Sequence, residues 1–159
     1  MKWLIAALLA GALVVTGCRT TKRDYTPVVA RFFLESSVGQ ASGVALPQSG
    51  VQLTISPKPV FTEFDIVDVQ EVQVELGRCL MFRLTPAAAR DLYRLTASNQ
   101  GRRLVLLLNG VALGARRIDA PFEEGVILIF VEAPDGELAE LARNLRATSA
   151  ELQRAAGRS

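Results

Sequence analysis

Apolar and polar positions change their period several times along the chain, and each change marks an element. Leu4 to Val15 is an unbroken, uncharged apolar run, closed by Thr16, Gly17 and Cys18 and then by Arg19, Lys22 and Arg23. A polar stretch leads to Pro27, after which Val28 to Glu35, rich in Val and Phe, predicts a strand. Small residues dominate 36–50, which reads as loop with a short extended piece at Val44 to Leu46. Val51, Leu53 and Ile55 alternate with Gln52 and Thr54, as a half-buried strand over 51–56 does, and Pro57 and Pro59 interrupt it. Thr62 to Asp68 predicts a short helical turn. Val72, Val74 and Leu76 then alternate with Glu71, Gln73 and Glu75, and Gly77-Arg78 predicts a tight turn. Leu80, Phe82 and Leu84 return as the antiparallel partner, with Arg83 facing out.

The period then lengthens to that of a helix. Thr85 can cap free N–H groups, and Pro86 suits the first helical position because it has no N–H to leave unpaired. Ala88, Leu92 and Leu95 form the apolar stripe, and Asn99-Gln100-Gly101 ends it. Leu104 to Leu108 is a wholly apolar strand, Asn109-Gly110 predicts a type I′ hairpin, and Val111 to Ala115 returns. Gly125 opens a further strand, Val126 to Val131. Pro134-Asp135-Gly136 begins a last helix with Asp135 as its cap, and Leu138, Leu141, Ala142, Leu145 and Leu152 share one face. Runs of adjacent strands followed by helices predict an α+β fold, an antiparallel sheet with two helices packed on one face.

Charge narrows the function classes. The 159 residues hold 18 Lys and Arg against 16 Asp and Glu, and residues 1–17 contain one of the lysines. The basic residues are dispersed, so neither a steering field nor a phosphate-tracking stripe is present, and no nucleic-acid partner is expected. There is no histidine, which removes the Ser-His-Asp triad and histidine metal sites. Cys79 has two readings, a reactive thiol or a small buried apolar residue; without a histidine base the buried reading is favoured. Asp119, Glu123 and Glu124 are the densest acidic cluster, either a weak cation site or carboxylate pair or a solvated loop, and the loop reading is favoured. Asp65 and Asp68 read as turn caps. The Gly-rich stretch 36–50 lacks the Lys-Ser/Thr ending of a phosphate cradle. No catalytic residue, metal or small-molecule cofactor is expected.

Lys2, the apolar run and Val15-Thr16-Gly17-Cys18 together resemble a bacterial lipoprotein signal with its lipobox. A membrane-spanning helix needs about 20 apolar residues, and this run is stopped short of that. The resemblance implies cleavage before Cys18 and lipidation of that cysteine, with residues 18–27 as its tether. It also implies a place in the cell envelope. Arg19 stands where Asp would retain a lipoprotein at the inner membrane, so the periplasmic face of the outer membrane is implied for a diderm host.

Residues 85 to 131 carry a second resemblance. A Thr-started helix from Thr85, Thr96 near its end, Asn99, Gly101, the apolar strand Leu104 to Leu108, the Gly110 turn and Gly125 before the last strand follow in order. With Pro59-Val60-Phe61-Thr62, Asp65-Ile66 and the closing-helix residues Leu138 and Leu145, the pattern resembles the head subdomain of the first periplasmic region of SecD and SecDF, protein-export subunits. The match covers most of residues 28–146. Departures are informative: the family's base subdomain and charged membrane helices have no counterpart, and Arg116-Arg117 occupies a place where the family tends to have a small residue and Pro. The resemblance therefore implies the fold and contact with unfolded exported chains, and does not imply proton-coupled transport.

Four parts follow: a signal peptide at 1–17, the lipidated cysteine and tether at 18–27, a head-like domain at 28–148 and a fraying helix end at 149–159. The expected function is non-enzymatic: a lipid-anchored envelope domain that binds a polypeptide or envelope protein, for which the sheet edge near Val28 to Leu34 is the expected docking place. The alternatives are a structural lipoprotein that assembles through its C-terminal helix, and a carboxylate-dependent hydrolase using Asp65, Asp119, Glu123 or Glu124.

Overall fold

Eight strands and two helices are described by the computed structural model, which covers residues 23–36 and 42–158. The signal segment, Cys18 and part of the Gly-rich loop lie outside the described residues. In chain order the elements are β1 (Ala30–Leu34), β2 (Ser42–Ala45), β3 (Gln52–Ile55), β4 (Ile66–Val74), β5 (Gly77–Leu84), α1 (Pro86–Ser98), β6 (Arg103–Leu108), β7 (Val111–Arg117), β8 (Val126–Ile129) and α2 (Leu138–Ala156). They form three sheets, β1-β6-β7, β2-β3 and β4-β5-β8, antiparallel throughout. This is the expected α+β fold, with the sheet divided.

One core joins the two larger sheets. Phe32 and Leu34 of β1, Leu80 and Phe82 of β5, Leu104 and Leu106 of β6 and Ile127 of β8 meet there with Leu92 of α1 and Leu145 of α2. Phe32 and Phe82 cross edge to face with ring centroids 5.1 Å apart. Each such side chain contributes about 1.5–3 kcal/mol on burial. A smaller cluster covers the opposite face of the first sheet: Leu53 and Ile55 of β3 pack on Val105 and Leu107. β6 is thus buried on both faces, which is why its sequence is apolar without alternation.

Local geometry follows the sequence closely at several ends. Thr85 Oγ1 accepts from the Ala88 N–H at 3.3 Å, and Pro86 opens α1. Asn109 and Gly110 take the positive φ angles of the expected hairpin turn, 48° and 85°. Thr96, not only Leu95, faces inward: its hydroxyl donates to Leu92 O at 2.7 Å and accepts from the Phe122 N–H at 2.9 Å. An apparently polar helix position thereby fixes the 119–125 loop.

Elsewhere the expectations need correction. The 62–68 segment is a turn only as far as Asp65, whose carboxylate accepts from the Thr62 N–H at 2.8 Å; Ile66 already belongs to β4. The β4–β5 turn is Glu75-Leu76, because Val74 pairs with Gly77. Val51 lies outside β3 and is exposed. Asp135 does not cap α2; it lies in a 3₁₀ turn, Asp135–Glu137, that leads into the helix without a side-chain cap. The polar inner face of α2 has its own reason. Thr148 Oγ1 accepts from the Val28 N–H at 2.9 Å, and Gln153 donates to the carbonyls of Phe64 and Ile66 at 3.1 and 2.7 Å. These bonds hold the helix in regular form well beyond residue 148, to Ala156.

Glu63 is buried, and Arg31 grips it through two 3.1 Å contacts. That hydrogen-bonded pairing is the main cause that holds the Glu63 carboxyl below its ordinary range. A depressed carboxylate stabilises the fold above its unfolded pKa, and the contribution is lost as pH falls through the folded value. Glu63→Gln is therefore expected to cost about 1–2 kcal/mol at neutral pH. The gap to wild type should close in acid below the usual glutamate range. Denaturant titrations of both proteins across that range check this; a gap independent of pH contradicts it.

Candidate binding surface

The second sheet has two faces of unlike fate. Leu80, Phe82 and Leu84 point into the core, and register places Val69 and Ile66 of β4 and Ile127 and Ile129 of β8 beside them. The other face carries the residues paired across it: Val72 with Cys79, Gln70 with Met81, Val74 with Gly77, Met81 with Leu128 and Arg83 with Val126. Val72, Val74, Met81, Val126 and Leu128 are half-buried and belong to neither core cluster. Both helices contribute their buried residues to the core on the opposite side. The outer face of β4-β5-β8 is therefore an apolar sheet surface that no helix of the described residues covers.

Two large side chains extend this surface at its far end. Leu76 at the β4–β5 turn is 86% exposed and Phe130, just after β8, is 45% exposed. Cys79 sits within the same face, fully buried, and that burial pushes its thiol up from the ordinary value with Arg116 opposing. It is a packed apolar residue, as expected.

Along β8 the surface continues into a groove of about 500 Å³ lined by Arg116, Arg117, Asp119, Phe122, Val126 and Leu128 among others. Arg116 occupies the seam between the two large sheets. Its guanidinium donates to Leu128 O at 2.7 Å and lies 4.4 Å from the centre of the Phe122 ring. Burial draws its pKa down from the usual value, with the charges of Cys79 and Asp119 opposing. Beside it, a Cβ on Gly114 would stand 2.5 Å from Phe130 O, so glycine is what lets β7 and the end of β8 approach. The free edge of β8 is thereby closed by a cation and by backbone contact.

The sequence candidates scatter. Asp119 and Glu123 share the groove, where Arg117 engages Asp119 at 3.1 Å. Glu124 faces a different depression beside Ala89 and Tyr93, and Asp65 is held in its own turn. Asp68 pairs with Arg146 at 3.7 Å within a strand and is no turn cap. Among the described residues no group of three His, Cys, Asp or Glu is arranged to hold a metal.

The docking edge expected at Val28 to Leu34 is already occupied. Phe32 exchanges backbone hydrogen bonds with Val60 and Phe61, and Ser56 donates to Leu34 O. Residues 56–61, punctuated by Pro57 and Pro59 and so not read as a strand, lie along it as a covering segment. The apolar outer face was the surface missed, though a signal for it existed. A two-residue loop pairs even with odd positions, so Val72 and Val74 cannot share a face with Leu80 and Phe82.

No family model and no curated protein matches the chain. Solved structures do. A crystal structure of SecDF in a super-membrane-facing form matches with a TM-score of 0.60 at 22% identity, over 76% of this chain and 19% of that one. SecDF described as a membrane component that enhances protein export matches with a TM-score of 0.58 at 21% identity, over 76% of this chain and 63% of the other. The translocon-associated SecDF of Thermus thermophilus matches with a TM-score of 0.51 at 23% identity, over 78% and 20%. This chain thus spans about a fifth of two of those chains and less than two thirds of the third. At these identities the likeness is one of fold, and the domain has the SecD-like head fold that the sequence resemblance implied.

Proposed function

We propose that this protein is a lipid-anchored domain of the cell envelope that binds extended polypeptide, without enzymatic activity, on the outer face of β4-β5-β8. The observation that carries the reading is that apolar face itself: Val72, Val74, Met81, Val126 and Leu128 packed side by side, flanked by exposed Leu76 and Phe130, with both helices on the far side. An extended chain offers alternating side chains to such a surface, and an unfolded exported chain is rich in the apolar residues that fit it. The likeness to a component that enhances protein export supports a task in export. Cys18 supplies the anchor in this reading, at the periplasmic face of the outer membrane where the host has one. Assembly through the C-terminal helix has less support, because Glu151 and Gln153 of α2 are engaged within the chain.

Photo-crosslinking in intact envelopes tests the reading. A photoreactive amino acid at Met81 or Phe130 is expected to capture polypeptide, and the same residue at Arg143 on exposed α2 is not. Met81→Glu is expected to abolish capture at Phe130 while thermal stability stays near wild type. Equal labelling at all three positions, or none above background, sinks the proposal.

A further inference from the structure

α2 runs the length of β4. It begins near the β4–β5 turn, where Arg78 donates to Asp135 O at 3.3 Å, and ends near the start of β4, where Gln153 holds the carbonyls of Phe64 and Ile66. The helix has 19 residues, about 28 Å, so the molecule has two distinct poles. Leu76 marks one; the last turns of α2 mark the other.

The N-terminal segment is fastened to that second pole. Arg23 Nη2 donates to Glu151 Oε1 at 2.6 Å, and the Tyr25 hydroxyl donates to the other carboxylate oxygen. The Arg23 contact, then that of Tyr25, holds the Glu151 carboxyl below its usual range, and Arg154 adds its charge to both Glu151 and Tyr25. Four residues, five Cα steps, separate Cys18 from Arg23, a reach of at most about 17 Å. A lipid on Cys18 would therefore hold this pole within that distance of the bilayer.

The pole is equipped for that contact. Phe64 and Val67, 46% and 47% exposed, flank the carbonyls that Gln153 grips. Arg154 and Arg158 lie exposed at the end of α2, and Arg23 stands at the tether. The sequence adds Arg19 and Lys22 between Arg23 and the lipid. Opposing carboxylates among the described residues of this pole are few: Glu151 is engaged by Arg23 and Tyr25, Asp68 pairs with Arg146, Glu63 is buried under Arg31 and Asp65 is bound by Thr62, beside Asp24. An exposed phenylalanine and an exposed valine among arginines suit the headgroup layer of an anionic membrane.

We propose that this pole docks on the lipid surface, with Phe64 and Val67 entering the headgroup layer and Arg154 and Arg158 on anionic phosphates, so that Leu76 and the apolar sheet face point away from the membrane. The inference rests on the anchored reading, and the test separates the two. The only tryptophan is Trp3, within the predicted signal segment. Phe64→Trp and Leu76→Trp therefore place one reporter at each pole of the mature protein. Each variant, purified from envelopes, is reconstituted into vesicles of phosphatidylethanolamine and phosphatidylglycerol with brominated acyl chains. Vesicle flotation reports anchoring and bromine quenching reports docking.

The Phe64→Trp emission is expected to shift blue and lose most of its intensity, while that of Leu76→Trp stays unquenched. Adding Arg154→Glu and Arg158→Glu should restore most of the Phe64→Trp emission without loss of flotation. Flotation with both reporters unquenched, or equally quenched, overturns the docking and leaves the anchor. Failure to float overturns both. Quenching at Phe64→Trp that ignores the two arginine changes overturns the assigned role of the arginines.

Discussion

Phe32→Ala is expected to lower the unfolding free energy by about 3–5 kcal/mol, the usual range for emptying a buried aromatic site. Phe32 is fully buried in β1, which contacts β6 on one side and the 56–61 covering segment on the other. Its ring is the edge-to-face partner of Phe82, so it joins the β1-β6-β7 sheet to the β4-β5-β8 sheet. Rigid strands on both sides leave little freedom to collapse into the space, which places the loss high in the range. Against a typical domain stability of about 5–15 kcal/mol this is severe. Denaturant titration followed by circular dichroism measures it, and Phe32→Leu should recover much of the loss. The Phe32→Ala, Phe82→Ala pair should fall short of additive by about 0.5–1.5 kcal/mol, the worth of the aromatic contact. A loss under 1 kcal/mol for Phe32→Ala would mean that the two sheets are not held together here.

Gly125→Ala should be nearly as damaging, about 2–4 kcal/mol, although it adds a single methyl group. Two costs combine. Gly125 has φ of +66°, where a side chain strains the backbone, and an added Cβ would lie 2.5 Å from the Cβ of Ala89 on α1. Neither partner can retreat easily. The Gly125 carbonyl accepts from the Leu84 N–H at 2.9 Å, and Ala89 is held in the capped first turn of α1, its N–H donating to Thr85 O at 2.8 Å. Ala89→Gly removes the collision but not the strain. The double variant should therefore be less destabilised than the sum of the two singles, by an amount within the usual coupling range of about 0.5–3 kcal/mol. Strict additivity would show that the close approach of α1 to this turn does not exist in solution.

Local codes were legible because their causes are local: Thr85-Pro86 starts a helix, Asn109-Gly110 closes a hairpin, and both do so here. Apolar strands were legible too, since burial demands them. What the pattern could not assign was the side to which an apolar residue points. Val72 and Val74 alternate as cleanly as Leu80 and Phe82, yet the first pair faces out and the second faces in. Partner identity was equally hidden. Nothing in the sequence marked Thr148, or Glu151 and Gln153 in the end expected to fray, as having partners; those partners, Val28, Arg23, Phe64 and Ile66, are more than 80 positions away in sequence. The β1 edge looked open because its covering segment carries two prolines and no strand pattern.

By itself, then, the sequence determined the α+β class, the order of the strands and helices, the helix start at Thr85 and the absence of any histidine-based chemistry. These depend on residue type and on neighbours a few positions apart. Tertiary structure decided which face of β4-β5-β8 carries no helix among the described residues, that the β1 edge is filled, and that Arg23 and Tyr25 fasten the chain to the end of α2. Those outcomes depend on register and on long-range packing, where a single shift in pairing moves every side chain of a strand to the opposite face.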